Sequence, residues 1–356
     1  MKERLSALRR ILRRAGLPSL AVTDLRNVRY LTGFSGTAAA CLVTRGSAVF
    51  ITDFRYRSQA ARQVSPAFRR AEHRTAFQGL IAEARRLRLK TLGFEEDALS
   101  HGAFRRLRKK AGGIRLRPAS GLVESLRLHK DADELRLLRR GARINGAALA
   151  EAAAAIRPGV REWEVALALE NAMRRRGASG AAFESIVASG PRGALPHGIA
   201  SGRKLRRGDL ITIDFGAVVE GYHADTTRVF SIGKPSAKGR KIYDIVLAAQ
   251  TAAVRAVGPG VRCEAVDAAA RRIIEEAGYG KAFGHGTGHG VGLDIHEGPR
   301  LAPGVEDVLA PGVVVTVEPG IYLPGWSGVR IEDMVLVTEK GRQVLTRSIS
   351  KELAIL

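Results

Sequence analysis

The sequence is poor in cysteine, with only Cys41 and Cys263 among its 356 residues. Because neither has a cysteine partner nearby, we expect neither a disulfide framework nor a thiolate metal site. The chain also lacks a long apolar run, and its alanine-rich EAAAAI stretch is too short and too charged to span a bilayer. The N-terminal stretch MKERLSALRRILRRAGLP has apolar residues at helical spacing but no small-residue cleavage site. We therefore expect a cytoplasmic protein without a membrane partner.

Aromatic residues are also few, at 5% of the chain, and this affects how the charge is interpreted. The net charge of +23 is of the kind that can mark a nucleic-acid surface. The basic residues, however, are mostly arginines in helical stretches such as RRLRLK and FRRLRKK, with few aromatics between them and no low-complexity tail. We interpret them as a solvated surface and expect no specific nucleic-acid partner, only weak and salt-sensitive polyanion binding.

The length allows two domains, and 45% hydrophobic residues give each of them a core. Residues 1–125 read as a smaller α/β domain, with strands in SLAVTD, ACLVT, SAVFITD and KTLGFEE and helices in RLSALRRILRRAG and AFQGLIAEARRLR. Polar residues near the strand ends could cap turns or reach a neighbouring active site; they are Asp24, Asn27, Tyr30, Asp53, Arg55 and Tyr56. A long amphipathic helix then opens a second domain, residues 126–356, whose helices and hairpins predict an α+β fold.

The second domain repeats itself. PGVR opens a helical pattern at residues 158–161 and again at residues 259–262. The strands LRRGDLITIDFG and LAPGVVVTVEPG follow, and their alignment places Asp214 opposite Glu318. Each strand turns through a glycine-containing segment into a second strand with another carboxylate, Asp225 or Glu332. We therefore expect two acidic hairpins that face one another across a pseudo-twofold axis.

A fifth group, His289 in HGTGHGVGLDIH, joins these four carboxylates. A surface ion pair is the alternative for any single carboxylate, but Asp214 and Glu318 end apolar strands, where exposed ion pairs are uncommon. Four carboxylates gathered in a core without cations would be strongly unfavourable. The pattern therefore predicts a two-metal site. The glycines between His285 and His289 argue against a helical zinc motif.

Several motifs resemble one known family. IDFGAVVEGYHADTTR, FGHGTGHGVGLDIHEGPR, VEPGIY and GVRIED resemble the signatures of the Xaa-Pro peptidases, the prolidase and aminopeptidase P group with the pita-bread fold. LRNVRYLTGFSGTAAACLV and FITDFRY resemble the creatinase-type N-terminal domain of the same group. The resemblance implies an Xaa-Pro aminopeptidase or Xaa-Pro dipeptidase that hydrolyses the bond before proline through a metal-bridging hydroxide. The preference for proline comes from the resemblance alone.

The resemblance also implies roles for the five ligands. It makes Asp214 a bidentate ligand of one ion, Asp225 and Glu332 bridges between two ions, and His289 and Glu318 the remaining ligands of the second ion. One imidazole among carboxylates suits two divalent ions per subunit, with manganese favoured and cobalt, iron or zinc as alternatives. Glu318 is in addition implied to be the general base that handles the proton of the attacking water.

Further residues receive roles only through the resemblance. His197 and His296 are implied to contact the scissile carbonyl and its oxyanion, and His285 to line the side that receives proline. For each histidine the alternative is a side chain that orders its loop. Arg330 is implied to orient the site beside the substrate. Arg300 is implied to hold the C-terminal carboxylate of the substrate, with a plain salt bridge as the alternative.

The chain departs from the family pattern at two places. Arg192 and Gly193 in GPRGALPHG stand where Asn-Ser is usual, and Ala224 stands where serine is usual. Both departures bear on substrate preference rather than on the metal ligands. The family further implies short proline-containing peptides as substrates and a homodimer as the assembly.

Three other functions compete with this interpretation. A non-catalytic binding module of the same fold and a creatinase-like hydrolase without metal are both disfavoured by the intact ligand set. A methionine aminopeptidase would share the metal core but not this N-terminal domain.

Overall fold

The computed structural model describes all residues, Met1–Leu356, and divides into two compact units, Met1–Arg127 and Leu128–Leu356. The first unit is built on a six-stranded sheet. Its strands are β1 (Ser19–Val22), β2 (Ala39–Thr44), β3 (Ala48–Thr52), β4 (Arg69–Glu72), β5 (Thr91–Glu95) and β6 (Arg115–Ala119). Its helices are α1 (Lys2–Arg14), α2 (Leu25–Thr32), α3 (Arg57–Gln63), α4 (Ala76–Arg86), α5 (His101–Ala111) and α6 (Glu124–Arg127).

The sheet runs in the order β4-β3-β2-β1-β5-β6. Strands β1, β2 and β3 pair antiparallel, and the remaining pairs are parallel. The four central strands are buried on both faces, which agrees with their nearly continuous apolar sequences. All four predicted strands and both predicted helices of this unit are therefore present.

Two of the polar residues near the strand ends act as caps. The Asp24 side chain accepts hydrogen bonds from the N–H groups of Arg26 and Asn27 at the start of α2. The Asp53 side chain accepts one from the N–H of Arg55 at the start of a short 3-10 helix, Phe54–Tyr56. The capping interpretation therefore describes both carboxylates.

The second unit contains four helices and fourteen strands. The helices are α7 (Ala132–Ala153), α8 (Glu162–Arg175), α9 (Ala237–Ala256) and α10 (Cys263–Glu276). The strands of its first half are β7 (Gly180–Ala181), β8 (Ile186–Ser189), β9 (Leu210–Phe215), β10 (Ala217–Val219), β11 (Tyr222–His223) and β12 (Thr226–Ser231). The others are β13 (Gly288–Gly290), β14 (Glu297–Leu301), β15 (Val314–Val317), β16 (Gly320–Leu323), β17 (Ser327–Arg330), β18 (Asp333–Thr338), β19 (Gly341–Val344) and β20 (Ala354–Ile355).

The predicted internal repeat is present, and its two halves share an equivalent backbone hydrogen bond. The N–H of Gly159 donates to the carbonyl of Leu205 at 2.9 Å, and the N–H of Gly260 donates to that of Leu309 at 2.8 Å. Each PGVR motif thus begins a 14-residue helix, α8 or α10, and ties it to the loop before the ligand-bearing strand. Helices together with mostly antiparallel strands confirm the predicted α+β class.

The acidic hairpins differ from the prediction in one respect. Strands β9 and β12 pair antiparallel, as do β15 and β18, but a smaller hairpin is inserted between the members of each pair. The second strands, which we expect to run through HADTTRVF and VRIEDMVLV, are therefore both wrong as single strands. β11 ends at His223 and β12 begins at Thr226, while β17 ends at Arg330 and β18 begins at Asp333. Arg330 is therefore the last residue of β17, and Glu332 lies in the break between β17 and β18.

Candidate metal centre

The five predicted ligands lie around one end of the paired hairpins. Asp214 lies within β9 and Asp225 directly before β12, while Glu318 follows β15 and Glu332 precedes β18. His289 comes from β13, which pairs with β15. Each half of the repeat therefore contributes two carboxylates to the site, and β13 adds one imidazole.

The distances describe a cluster of candidate ligand atoms. His289 Nε2 lies 3.2 Å from Glu318 Oε1 and 3.7 Å from Asp225 Oδ2. Ligand atoms of Asp225, His289 and Glu332 all lie within 4.8 Å of one another. Asp214, Asp225, His289 and Glu318 also line a common cavity. The cluster has the size of a metal centre.

Three carboxylate oxygens in the cluster are buried without a hydrogen-bond partner. They are Asp214 Oδ1, Asp225 Oδ1 and Glu332 Oε1. A buried polar atom without a partner is unfavourable, and three anionic ones in one place are more so. Cations bound among them would supply the missing partners, so the donor set fits divalent metal ions.

The pKa values of these carboxylates show that their ionised forms are unfavourable in the cluster. Burial raises the pKa of Asp214, although the Arg330 guanidinium opposes this effect. Burial and the Glu332 carboxylate raise the pKa of Asp225 well above its usual range. Burial and the Glu318 carboxylate do the same to the pKa of Glu332. Such shifts are expected when several carboxylates share a low-dielectric site without a cation.

Glu318 and His289 form an ion pair within this cluster. Burial acts to raise the pKa of Glu318, but the hydrogen bond from His289 and its charge outweigh it and lower the pKa to about 2. Burial likewise acts to lower the pKa of His289, and Glu318 raises it above its ordinary value. A metal ion at His289 Nε2 would take the place of the proton that now mediates this contact.

A surrounding set of hydrogen bonds orients the candidate ligands. His289 Nδ1 lies 2.9 Å from the carbonyl oxygen of Gly290, which can only accept, so Nδ1 carries the proton and Nε2 faces the carboxylates. The Thr227 hydroxyl donates to Glu332 Oε2 at 2.7 Å, and the Thr316 hydroxyl donates to Glu318 Oε1 at 3.1 Å. Sequence reasoning missed both threonines, although Thr316 shares a strand face with Glu318 in the alternating pattern.

Arg330 is buried and makes contacts on several sides. Its Nη2 donates to Asp214 Oδ2 at 2.5 Å, and its Nη1 donates to the Tyr322 hydroxyl at 2.7 Å and to the Pro196 carbonyl at 3.1 Å. Its Nε donates to the Thr227 hydroxyl at 3.3 Å. These partners agree with the predicted orienting role, and the guanidinium is held by protein groups on each of its nitrogens.

A cavity of about 1120 Å³ opens in front of the cluster. His197 and His296 are exposed within it, and the His296 ring packs edge-on against the His289 ring with centroids 4.4 Å apart. Burial and the neighbouring His289 lower the pKa of His296. Both rings are therefore placed where a bound substrate could meet them.

His285 lines the same cavity but is engaged by protein groups at both ring nitrogens. Its Nδ1 contacts the Gly286 carbonyl at 2.7 Å, and its Nε2 contacts the Tyr322 hydroxyl at 3.0 Å. These contacts favour the alternative in which His285 orders its loop. Tyr322, in the VEPGIY motif, was not among the predicted site residues. Burial raises the pKa of its hydroxyl to about 12.

Arg300 lies in β14, on the exposed side of the cavity lining. No carboxylate lies within ion-pair distance of its guanidinium, so the structure does not support the plain salt bridge that was the alternative. Apolar side chains line other parts of the cavity; they include Phe183, Ile186, Ile199, Ile295 and Pro299. The cavity thus combines one available cation with apolar walls.

The departures from the family pattern have local explanations. A Cβ atom at Gly193 would lie 2.8 Å from Ser327 Oγ and 3.0 Å from the Gly328 nitrogen, so a serine there would require β17 to shift. Ala224 is buried and packs against Gly141 of α7. Arg192 forms an ion pair with Glu162 and a hydrogen bond with the Ile199 carbonyl.

Comparisons with known proteins agree with this geometry. Residues 136–339 match Metallopeptidase family M24, and residues 4–129 match the Creatinase/Prolidase N-terminal domain. The chain is 37% identical to the Xaa-Pro dipeptidase of Pyrococcus furiosus, across 98% of this chain and 99% of that protein. It superposes on the structure of the Xaa-Pro dipeptidase from Bacillus anthracis with a TM-score of 0.96 and 44% identity, covering 100% and 99% of the two chains. The X-Pro aminopeptidase from Thermotoga maritima gives a TM-score of 0.90 and 38% identity, covering 98% and 100%.

Proposed function

Because this chain belongs to Metallopeptidase family M24 and carries a Creatinase/Prolidase N-terminal domain, we propose that it is a divalent-metal-dependent Xaa-Pro peptidase. It removes the residue before proline, from Xaa-Pro dipeptides or from the N-terminus of longer peptides. The observation that carries the proposal is the cluster of three unpartnered carboxylate oxygens beside His289 Nε2, inside a cavity large enough for a short peptide.

Asp214, Asp225, His289, Glu318 and Glu332 would hold two divalent ions, with manganese favoured and cobalt, iron or zinc as alternatives. When bound, such ions supply Lewis-acid polarisation of the scissile carbonyl and an acidified water. Residues 126–356 form the catalytic domain in this proposal, and residues 1–125 the creatinase-like domain. A homodimeric assembly and a cytoplasmic location remain predictions from the sequence.

The other roles in the reaction belong to protein side chains. Glu318, whose carboxylate Oε1 lies 3.2 Å from His289 Nε2, accepts the proton of the attacking water. His197 and His296 face the cavity and donate N–H groups to the carbonyl oxygen as negative charge develops on it. Arg330 keeps Asp214 in place, and His285 with Tyr322 supports the adjoining wall.

Arg300 and the apolar walls account for substrate binding in the proposal. The free guanidinium of Arg300 binds the C-terminal carboxylate of a dipeptide, and the apolar lining receives the proline ring. An amide to proline has no N–H, so recognition through a polarised carbonyl and a ring-shaped apolar surface suits it.

The test is an assay of purified protein with Xaa-Pro and Xaa-Pro-Yaa peptides after reconstitution with manganese, cobalt or zinc. We expect hydrolysis that chelation abolishes and that one of these ions restores, with peptides lacking proline at the second position cleaved poorly. Metal-replenished protein that leaves both peptide classes intact would contradict the proposal.

A further inference from the structure

A fully buried carboxylate lies behind the segment that carries His197. Glu162 is the first residue of α8, and its side chain has no solvent exposure. Its two oxygens accept hydrogen bonds from the backbone N–H and the hydroxyl of both Ser189 and Ser201, at 2.6 to 3.1 Å. A carboxylate buried this deeply needs a cation beside it. Arg192 forms that ion pair.

The same guanidinium has a second partner seven residues along the chain. Arg192 Nη2 donates to the Ile199 carbonyl at 2.7 Å. Arg192 therefore ties both the beginning and the end of the segment 192–199 to the start of α8. Backbone hydrogen bonds close the turn inside the segment, among them Leu195 to Arg192 at 2.9 Å and Ile199 to His197 at 2.9 Å.

The other side of the segment is attached to the metal centre. Arg330 Nη1 donates to the carbonyl of Pro196, the residue before His197, while Arg330 Nη2 holds Asp214. Gly193 also approaches the backbone of Gly328 in β17 so closely that a Cβ atom would not fit. His197 thus lies between two attachments, one through Arg192 to α8 and one through Arg330 to the candidate ligands.

We propose that Arg192 is a positioning residue that fixes His197 against the metal centre by joining Glu162 to the Ile199 carbonyl. The inference rests on the proposed function, because it assigns to Arg192 an effect on the same reaction. Two features of the chain support arginine in this role. The planar fork of Arg192 can reach the Glu162 carboxylate and the Ile199 carbonyl together. The neighbouring Gly193 has no side chain and so lets the segment pack closely against β17.

Arg192→Ala, His197→Ala and the double variant test the inference in metal-loaded, full-length protein. Displacing a catalytic group by about 1 Å can lower a rate about 100-fold, so we expect Arg192→Ala to lower kcat by about 10- to 100-fold with KM changed little. In the His197→Ala background the same substitution should lower kcat by less than about twofold, since Arg192 would act only through His197. Equal losses in both backgrounds would overturn the inference.

Arg192→Lys separates charge from geometry. Lysine keeps a cation for Glu162, but its single compact ammonium lacks the planar fork that aims separate N–H groups at the Glu162 carboxylate and the Ile199 carbonyl. We expect Arg192→Lys to keep the wild-type melting temperature and metal content while losing part of kcat. Arg175→Ala is the matched control, because Arg175 pairs with Glu151 on the exposed surface of the same unit. Full activity of Arg192→Lys would show that charge alone suffices and would contradict the bridging role.

A readout independent of turnover distinguishes failure of this inference from failure of the proposed function. Hydrogen exchange followed by mass spectrometry should show faster exchange across residues 193–199 in Arg192→Ala, with α8 and β9 unchanged. If the wild-type protein cleaves no Xaa-Pro peptide but this local exchange change appears, the proposed function fails while the structural attachment is supported. Unchanged exchange in the segment would reject the attachment whatever the activity.

Discussion

Asp225 and Glu332 are unusual because each has a buried oxygen that no protein group satisfies. A buried polar atom without a partner typically costs about 1–3 kcal/mol, and more when it is charged. The fold nevertheless brings these two carboxylates and His289 within 4.8 Å of one another. Such an arrangement is explained by a ligand that supplies positive charge, and the family assignment identifies that ligand as divalent metal.

We predict that Asp225→Asn and His289→Ala each abolish peptidase activity while the fold persists. Each removes a ligand atom from the centre of the cluster, and even partners outside the ligand set typically cost about 10- to 100-fold in metal affinity or activity. We therefore expect kcat/KM to fall at least about 100-fold by the same principle. Activity, metal content per chain and circular dichroism together check this expectation.

Asp244→Asn is the control for these variants, because Asp244 forms an exposed ion pair with Arg240 on α9. It should keep full activity and metal content. In the metal-free state Asp225→Asn should be at least as stable as wild type, since it removes one of several mutually repelling charges. Retention of most activity in Asp225→Asn or His289→Ala would refute the ligand assignment.

A second residue-scale prediction concerns Arg300. Its exposed guanidinium has no protein carboxylate as partner, so it is available for a substrate carboxylate within the cavity. A hydrogen bond to a charged group is worth about 1.5–3 kcal/mol. We therefore expect Arg300→Ala to raise KM for Xaa-Pro by about tenfold or more by that principle, and to affect longer Xaa-Pro peptides less.

The measurement compares kcat/KM for Xaa-Pro with that for Xaa-Pro-Yaa-Yaa in wild type, Arg300→Ala and Arg300→Lys. Lysine should recover part of the lost dipeptide activity, because it restores the charge without the bidentate fork. Equal losses on both peptides would reject carboxylate binding by Arg300.

The site residues were predictable to different degrees. The four carboxylates carried a signal because each ends or interrupts an apolar run, and the two halves of the repeat place Asp214 and Glu318 at equivalent positions. His285 was assigned to the substrate side, but its ring nitrogens are held by the Gly286 carbonyl and Tyr322. His285 and Gly286 lie in a loop that no periodic pattern describes, so the sequence alone could not show that this loop brings the ring to Tyr322 of β16.

Strand β13 is the element that depends most on glycine. Gly288 and Gly290 flank His289, and a Cβ atom at either position would collide with backbone, that of Thr316 in β15 or that of Gly298 in β14. The structure shows that these glycines let three strands pack closely enough to bring His289 to the cluster.

Gly288→Ala should therefore destabilise the protein by about 3 kcal/mol or more, because overpacking against backbone cannot be relieved by a rotamer change. Gly284→Ala is the matched control from the loop before β13, since a Cβ atom there meets nothing within 4 Å. Denaturant unfolding of the metal-free proteins measures both effects without interference from metal binding. Equal stability of the two variants would contradict the packing argument.

Edge strands and irregular junctions explain the elements that sequence analysis missed. β4 and β6 have the sequences RRAE and RLRPA, are largely solvent-exposed, and lack the alternation that marks a half-buried strand. The central strands were recognisable because both of their faces are buried. The break between β17 and β18 was not visible in the sequence because Val329, Arg330, Ile331 and Glu332 keep the apolar–polar alternation of a strand through it.

Metal binding should be visible in the stability of the whole molecule. A ligand that binds only the folded state at about 100 times its Kd adds about 2.7 kcal/mol of stability. Adding Mn²⁺ to chelated protein should then raise the melting temperature by several degrees, and Asp225→Asn should lose most of that shift. A metal-induced rise of the same size in Asp225→Asn would place the stabilising ion elsewhere.

The charge of the molecule is distributed unevenly between its units. Met1–Arg127 contains 27 lysines and arginines against 9 aspartates and glutamates, a net charge of +18 out of the +23 of the whole chain. Several of the few acids there are already neutralised or buried, such as Glu83, which pairs with Arg69 and Arg86. On α5, exposed basic side chains line a shallow groove; they are Arg105, Arg106, Arg108 and Lys109.

This surface predicts weak, sequence-independent binding of polyanions that increasing salt abolishes. Each phosphate contact releases condensed counterions, so a protein with 6–10 such contacts loses about 10³–10⁵ in affinity between 50 mM and 200 mM salt. Fluorescence anisotropy with short DNA duplexes of unrelated sequence measures this dependence. Reversing charge with Arg105→Glu, Arg106→Glu and Lys109→Glu should weaken binding and leave peptide hydrolysis unchanged, because these residues lie in the N-terminal unit outside the catalytic cavity. Binding that persists at 200 mM salt, or that discriminates between sequences, would instead indicate a dedicated nucleic-acid site and contradict the interpretation of this surface as solvated charge.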